Sequence, residues 1–237
     1  MLAGNELRLH EEIMLLALRD EEGTVASGTM YSYGVAGAIL AELLLEQRIR
    51  LEEPRKNQKL VTLASPDPVG DELIDECLER VAGAKRRKRP ETWVSHFAST
   101  KQLKHRVATQ LCRRRILAAD EDKVLLIFTR RIYPEINPEP EQRLIERLRQ
   151  AIFTDAEAID PRTMVLVSLA SATSILPVVF KKKDLKARKK RIEQIVNGEV
   201  TGKAAKDAIE AMQAAVMVAC IMPTIMTTVI TTTAATR

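Results

Sequence analysis

Apolar residues recur at the spacing of an α-helix through most of the chain, and this period constrains the fold more than any other feature. Residues 72–82 show it clearly, because apolar positions three and four apart alternate with charged ones. Five residues share one predicted helix face: Leu73, Ile74, Cys77, Leu78 and Val81. Residues 35–45 are apolar almost throughout, which predicts a second, strongly apolar helix.

The fold class follows from this period and from a shortage of aromatic side chains. Aromatic residues make up only 3% of the 237 residues, whereas strands are enriched in them. Alternation over 57–65 predicts a short strand, and the apolar run 124–128 predicts a buried one. We therefore expect a mainly α protein: a single globular helical domain over 6–222, with a few short strands, a protruding β-hairpin and a Thr-rich tail over 223–237.

Residues 214–236 carry no charge and are long enough to span a membrane. Pro223 and the many threonines that follow it disfavour such a helix, so we expect a buried last helix that ends near Met222 and then an extended tail. A tail anchor is the alternative. No signal peptide is expected, because Glu6, Glu11 and Glu12 interrupt any apolar segment near residue 1.

The charge is distributed very unevenly along the chain. Residues 1–84 carry 8 Lys or Arg against 16 Asp or Glu, whereas residues 85–115 carry 11 against the single acid Glu91. A dense basic block of this kind indicates a polyanionic partner, either a nucleic acid or an anionic membrane surface. A solvated basic face without any partner would give the same pattern.

No motif indicates catalysis, a metal or a cofactor. The three histidines are scattered, and the three cysteines lack metal-ligand spacing and are expected to be buried thiols. Glycine-rich phosphate loops and nucleophile elbows are absent from the sequence. We expect a protein that is not an enzyme and that needs no cofactor.

A nucleic-acid-binding module that uses the basic block is the alternative function. Such proteins usually combine cations with aromatic side chains that stack on bases. The basic region offers only Trp93 and Phe97, whose spacing of four predicts one inward-facing helix surface. Nucleic acid is therefore the less favoured partner.

Several stretches, taken in order from about residue 6 to about residue 220, resemble the Golgi phosphoprotein 3 family. Four stretches carry the resemblance: LRLHEEIMLLALRDEEGT (7–24), YGVAGAILAELLLEQRIRLE (33–52), DPVGDELIDECLERV (67–81) and LLIFTRRIYPEINPEPEQRLIERLRQAI (125–152). The resemblance implies a mainly helical, non-enzymatic peripheral membrane protein that binds phosphatidylinositol 4-phosphate. It also implies a trafficking or retention adaptor that grips the cytosolic tails of membrane proteins.

The resemblance also implies site residues, with departures from the family pattern. Two helix arginines of the family correspond to Lys101 and Lys104, which we expect on one helix face at a spacing of three. The Trp and Arg of the family's lipid pocket correspond to positions near Ser27 and Ala36, where both functions are lost. We expect general binding to anionic lipid to survive these changes, although lysine lacks the bidentate geometry of arginine.

The predicted hairpin tip combines cations with large apolar side chains. Arg130 and Arg131 are expected to meet lipid headgroups, and Ile132 and Tyr133 to insert at the membrane interface. Packing of the hairpin on a second copy of the chain is the alternative for Ile132 and Tyr133.

The departures, with the missing N-terminal basic arm of eukaryotic members, indicate a divergent relative. The expected location is cytoplasmic and peripheral on a membrane: the Golgi if the source is eukaryotic, the inner face of the plasma membrane if it is prokaryotic.

Overall fold

The computed structural model of the protein describes residues 6–19, 22–56, 58–124 and 128–199. The helices of this part are α1 (Leu9–Ala17), α2 (Tyr31–Leu45), α3 (Glu72–Ala82), α4 (Pro90–Ala98), α5 (Leu103–Arg113), α6 (Glu139–Phe153), α7 (Pro161–Ala172), α8 (Leu176–Val179), α9 (Lys182–Ala187) and α10 (Lys189–Val196). The strands are β1 (Leu18–Arg19), β2 (Thr24–Val25), β3 (Ile49–Glu52), β4 (Leu60–Leu63), β5 (Asp120–Val124) and β6 (Phe128–Ile132). The mainly α fold class is confirmed.

Helices α1 and α2 form the centre of the packing. Every residue of α1 is buried, and α2 is buried from Gly34 to Leu43. Helix α1 packs against α2, α5, α6 and α7, while α2 also packs against α3 and α4. Close approach to α7 explains a glycine at position 37, because a Cβ there would lie 2.7 Å from Leu169 Cδ2.

Three glutamates are buried with these two helices, and each is paired with an arginine from much later in the chain. Glu11 pairs with Arg114 of the α5 end at 3.0 Å, and Glu12 pairs with Arg147 of α6 at 2.7 Å. Glu42, fully buried in α2, lies 2.6 Å from Arg162 of α7 and also accepts the backbone N–H of Leu9 at 3.0 Å. Charges that are removed from water need such partners, so these pairs fix the packing of α1 and α2 against the later helices.

Aspartate side chains cap the starts of two helices. Asp71 caps α3 by accepting the backbone N–H groups of Leu73 and Ile74, both at 3.0 Å. Asp160 caps α7 by accepting the N–H of Thr163 at 2.9 Å, with Pro161 in the first helical position. All five predicted face residues of α3 are buried.

The strands form three antiparallel pairs within the described residues: β1 with β2, β3 with β4, and β5 with β6. The prediction of one buried strand over 124–128 is wrong. Val124 ends β5 and pairs with Phe128, which begins β6, and residues 125–127 between them lie outside the described residues. Val124 and Phe128 therefore lie on two different strands, at the opposite end of the hairpin from the pair of Asp120 and Ile132.

Two other predictions concern residues beyond position 199. The last helix ending near Met222 and the Thr-rich tail over 223–237 lie outside the described residues, so the predicted domain limits stay a prediction. Over the ranges that the structure describes, no helix is both long and apolar enough to cross a membrane.

Candidate functional site

The two lysines carried over from the resemblance lie where α4 gives way to α5, but they do not share a helix face. Lys101 is exposed in the turn between the helices, and Lys104 is the second residue of α5. Gln102 separates them in the left-handed conformation, with φ of 56°. The prediction of one helix face is therefore wrong, because the backbone changes direction between the two residues.

Lys104 lies beside the base of the β5–β6 hairpin. Its ammonium group is 5.9 Å from the centre of the Tyr133 ring, which is a cation–π distance. The Tyr133 hydroxyl is hydrogen-bonded to His105 Nδ1 at 2.8 Å. These contacts hold the start of α5 against the chain segment that leaves β6.

The prediction that Ile132 and Tyr133 form an inserting hairpin tip is wrong. Ile132 pairs with Asp120 at the base of the hairpin, the opposite end from Val124 and Phe128. Tyr133 is 3% exposed, and its backbone N–H donates to the carbonyl of Gly23 at 2.8 Å. Tyr133 is therefore a packing residue between α5, the hairpin base and the turn after β1.

Arg131 reaches the same region from β6, in register with Glu121. Its exposed side chain lines a cleft of about 150 Å³ with Gln102, His105, Arg106 and other residues of α3 and α5. Arg130 pairs with Asp122 in the strand register, and its side chain lies outside the described part. The structure thus brings Arg131 close to the Lys104 segment.

Burial and the nearby cations shift the pKa values of His105 and Tyr133. The pKa of His105 is lowered by burial and, to a smaller extent, by Lys104 and Arg131. Burial also raises the pKa of Tyr133, against the lowering effect of Arg131. The neutral form of His105 is therefore favoured while no anion is close to the two cations.

Ser27 and Ala36, the positions that depart from the family, do not belong to one surface. Ser27 is exposed in the turn between β2 and α2, whereas Ala36 is fully buried inside α2. A residue at position 36 faces the core, so the Ala36 correspondence does not identify a pocket position.

The cations of the basic block that begins at residue 85 fall into two groups: some are paired with acidic side chains, and others line a cleft. Arg87 is paired with Glu52 at 2.5 Å and Arg89 with Glu91 at 3.6 Å. Lys85, Arg86 and Lys88 instead line an open cleft together with Trp93. Trp93 and Phe97 are both buried, as predicted, so neither ring is available to stack on nucleic acid bases.

Residues 181–190 are a second segment rich in lysine and arginine, and they are divided between α9 and the start of α10. Arg188 lies between them and donates to the carbonyls of Ile152 and Thr154, at 2.9 and 2.8 Å. This arginine anchors the segment to the end of α6, so the segment is partly structural.

Sequence reasoning missed several residues of the two clefts. His105, Arg106 and Arg113 line the cleft of Arg131, and Arg80 and His96 line the cleft of Trp93. The spacing of seven between Arg106 and Arg113 was a signal for one helix face. Arg80 had no such signal, because it reaches its cleft from the end of α3, a separate element.

Comparison with known proteins identifies the family. The model of the family described as Golgi phosphoprotein 3 (GPP34) matches residues 9–212. Vacuolar protein sorting-associated protein 74 of Eremothecium gossypii is 30% identical over 86 residues, which is 33% of this chain and 26% of that relative. This alignment therefore spans about a quarter of the relative's length. Because the family model covers most of the chain, the protein belongs to the Golgi phosphoprotein 3 family.

Proposed function

We propose that the protein is a peripheral membrane adaptor that binds anionic phospholipid through the cations at the start of α5 and on β6. The observation that carries this proposal is the approach of Lys104 and Arg131 to the Tyr133–His105 pair, beside the exposed Lys101. Lys104 of α5 and Arg131 of the hairpin are therefore both close to His105, and Lys101 lies in the turn that precedes α5. Arg130 is part of the proposed surface on its sequence position alone.

The strength of such a contact is set by the number of cations that approach the membrane. Each Lys or Arg near an anionic leaflet contributes ~1 kcal/mol, and the effect decays within a Debye length of about 8 Å at physiological salt. A few cations therefore give reversible attachment, which suits a protein that moves between a membrane and solution.

The finer parts of the proposal come from the family. We propose phosphatidylinositol 4-phosphate as the preferred lipid, the Golgi as the membrane, and cytosolic tails of membrane proteins as the cargo. The similarity to a vacuolar protein sorting-associated protein supports a role in protein sorting. We also propose that copies of the protein associate through the β5–β6 hairpin.

Vesicle co-sedimentation tests the lipid surface. The variant Lys101→Glu/Lys104→Glu removes about 2 kcal/mol of attraction and adds repulsion between the new carboxylates and the membrane, so we expect binding to weaken by at least about thirtyfold. The vesicles contain phosphatidylcholine with phosphatidylglycerol or with phosphatidylinositol 4-phosphate, and pure phosphatidylcholine is the neutral reference.

The matched control is Lys181→Glu/Lys182→Glu, which makes the same charge change on two exposed residues at the start of α9. We expect this control to pellet almost as well as the unchanged protein. If the two double variants lose binding equally, net charge alone governs attachment and the assigned surface is wrong. Size-exclusion chromatography of each variant detects a change of oligomer.

A further inference from the structure

We propose that a cleft between α3 and α4, separate from the surface at Lys101 and Lys104, binds a phosphate monoester. The cleft has a volume of about 640 Å³. Six of its lining residues carry the inference: Arg80, Lys85, Arg86, Lys88, Trp93 and His96. We call it the Trp93 cleft. It goes beyond the proposed function, because no residue of the proposed lipid surface lines it.

The first argument is the placement of Lys88 over the floor of the cleft. Its backbone carbonyl accepts the N–H of Val61 at 2.9 Å, so an isolated bridge to β4 fixes the main chain. Its ammonium group lies 5.0 Å from the centre of the Trp93 ring and 3.4 Å from His96 Nδ1. The cation is therefore held by neutral groups, which leaves its charge uncompensated locally.

The second argument is the pairing of the charges along residues 85–89. Arg87 and Arg89, which do not line the cleft, have acidic partners in Glu52 and Glu91. Lys85 and Arg86 line the cleft and have no ion-pair partner within the ranges that the structure describes. Along residues 85–89, the described structure therefore gives acidic partners to the two arginines outside the cleft and none to Lys85 and Arg86 inside it.

The opposite wall supplies a further donor from α3. Arg80 is held by a hydrogen bond from its Nη1 to Thr100 Oγ1 at 3.0 Å and by a salt bridge to Glu76. Glu76 also binds Arg106 at 2.5 Å, so its charge is shared between two arginines. Planar guanidinium groups suit phosphate, since several N–H donors can reach its oxygens.

The α4 wall contributes the indole of Trp93 and the ring of His96. The indole N–H of Trp93 is buried and has no hydrogen-bond partner among the described residues. The pKa of His96 is lowered by burial, and then by Lys88 and Arg80. An anion that compensates Lys88 and Arg80 removes part of that cause, so its binding favours protonation of His96 and adds a positive donor.

The ligand class follows from the size and charge of the cleft. A phosphate monoester is mostly a dianion near neutral pH and offers three acceptor oxygens to several cations. The cleft exceeds the size of the phosphate group itself, so we infer that the phosphate is joined to a larger molecule. A free metabolite and a lipid headgroup share this chemistry.

Fluorescence of Trp93 measures binding directly, because the chain contains one tryptophan. The probes are inorganic phosphate, glycerol phosphate, and phosphatidylcholine vesicles that contain phosphatidic acid, with sodium chloride at matched ionic strength as the reference. A saturable response to the soluble phosphates supports a free ligand, and a saturable response to the phosphatidic acid vesicles alone supports a headgroup. If no probe differs from chloride, the proposal is overturned.

Variants locate the response in the Trp93 cleft. Lys88→Met removes one charge-assisted contact and is expected to weaken phosphate binding about tenfold, measured by calorimetry. Lys85→Met/Arg86→Met changes only exposed side chains and is expected to weaken binding to a similar extent while leaving the fold intact. Arg87→Met is the matched control, because this arginine belongs to the same run but does not line the cleft.

Two outcomes decide whether the assignment stands. If Arg87→Met weakens phosphate binding as much as the cleft variants do, the response is a general charge effect and the assignment is wrong. Nuclear magnetic resonance of the His96 ring gives an independent readout: phosphate is expected to raise the pKa of His96, and an unchanged pKa contradicts the proposal.

The variant Lys101→Glu/Lys104→Glu is expected to retain the response to soluble phosphate, which separates this site from the proposed lipid surface.

Discussion

At the scale of single residues, Tyr133 shows how strongly context decides the role of a side chain. In the sequence it follows two arginines and an isoleucine, which is typical of a membrane-facing loop. In the structure its ring is buried, its hydroxyl contacts His105 and its N–H contacts Gly23. A Cβ on Gly23 would lie 2.5 Å from the backbone of Tyr133, so the two segments are in close contact.

Tyr133→Phe tests this packing role. The change removes the hydroxyl and leaves His105 Nδ1 without its partner, so we expect a loss of about 1 kcal/mol in the free energy of unfolding, measured with urea. Vesicle binding should be unchanged. Tyr31→Phe is the control, because the hydroxyl of Tyr31 makes no hydrogen bond within the described residues. Lost vesicle binding by a folded Tyr133→Phe would instead assign Tyr133 to the lipid surface.

At the scale of secondary-structure elements, the buried glutamates explain how an entirely buried helix can contain charges. Glu11 and Glu12 lie on α1, and their arginines come from the end of α5 and from α6. Glu42 joins α2 to α7 through Arg162, whose guanidinium group also donates to the carbonyl of Leu7 at 3.1 Å. The ion pairs therefore determine which helices pack together.

Arg162→Met is expected to destabilise the fold strongly. It leaves Glu42 buried without a counter-charge, which costs about 3–5 kcal/mol of unfolding free energy. Adding Glu42→Gln should recover part of this loss, because an amide oxygen can still accept the N–H of Leu9. Chemical denaturation measures both effects.

The control for Arg162→Met is Arg143→Met on α6. Arg143 and its partner Glu139 are four residues apart and largely exposed, so we expect a change below about 0.5 kcal/mol. Equal losses for Arg143→Met and Arg162→Met would contradict the role of burial.

The helices could be predicted from the sequence because their apolar periodicity and caps are local signals. The face predicted for α3 is buried, and the aspartates that cap α3 and α7, Asp71 and Asp160, are residues that favour this position. The left-handed backbone at Gln102 and the break at Arg188 could not be predicted, since the first is a non-glycine residue with positive φ and the second is held by carbonyls 34 to 36 residues away. The sequence sets the spacing of Lys101 and Lys104, but it did not indicate that the backbone changes direction between them.

At the scale of the whole molecule, the charge imbalance between sequence blocks overstates the acidity of the surface. The acidic first third of the chain contributes Glu11, Glu12 and Glu42, all of which are buried and paired with later arginines. The loop over 85–89, by contrast, is mostly exposed. The charge of whole sequence blocks indicated an anionic partner, but the pairing of individual charges was needed to single out the Trp93 cleft.

The stability of the whole protein should depend on pH through two histidines. Burial is the main cause of the lowered pKa of both His96 and His105, and neighbouring cations add to it. The unfolded chain therefore takes up protons near pH 6.5 before the folded one does, so stability is present above about pH 6.5 and is lost as the pH falls toward the folded pKa values.

Thermal unfolding at several pH values measures this effect. We expect the melting temperature to fall more steeply with acidification for the unchanged protein than for His96→Asn/His105→Asn. The comparison is needed because burial raises the pKa of Glu12, which has the opposite sign and is common to both proteins. Parallel curves would show that the two histidines do not contribute.

The pairing of early glutamates with late arginines has a consequence for the growing polypeptide on the ribosome. Glu42 is made about 120 residues before Arg162. At ~5–20 residues per second, the carboxylate waits roughly 10 s for its partner. The partners of Glu11, Glu12 and Glu42 are Arg114, Arg147 and Arg162, which are made one after another during and at the end of that interval. We therefore expect the burial of α1 and α2 to be completed only after translation has reached α7.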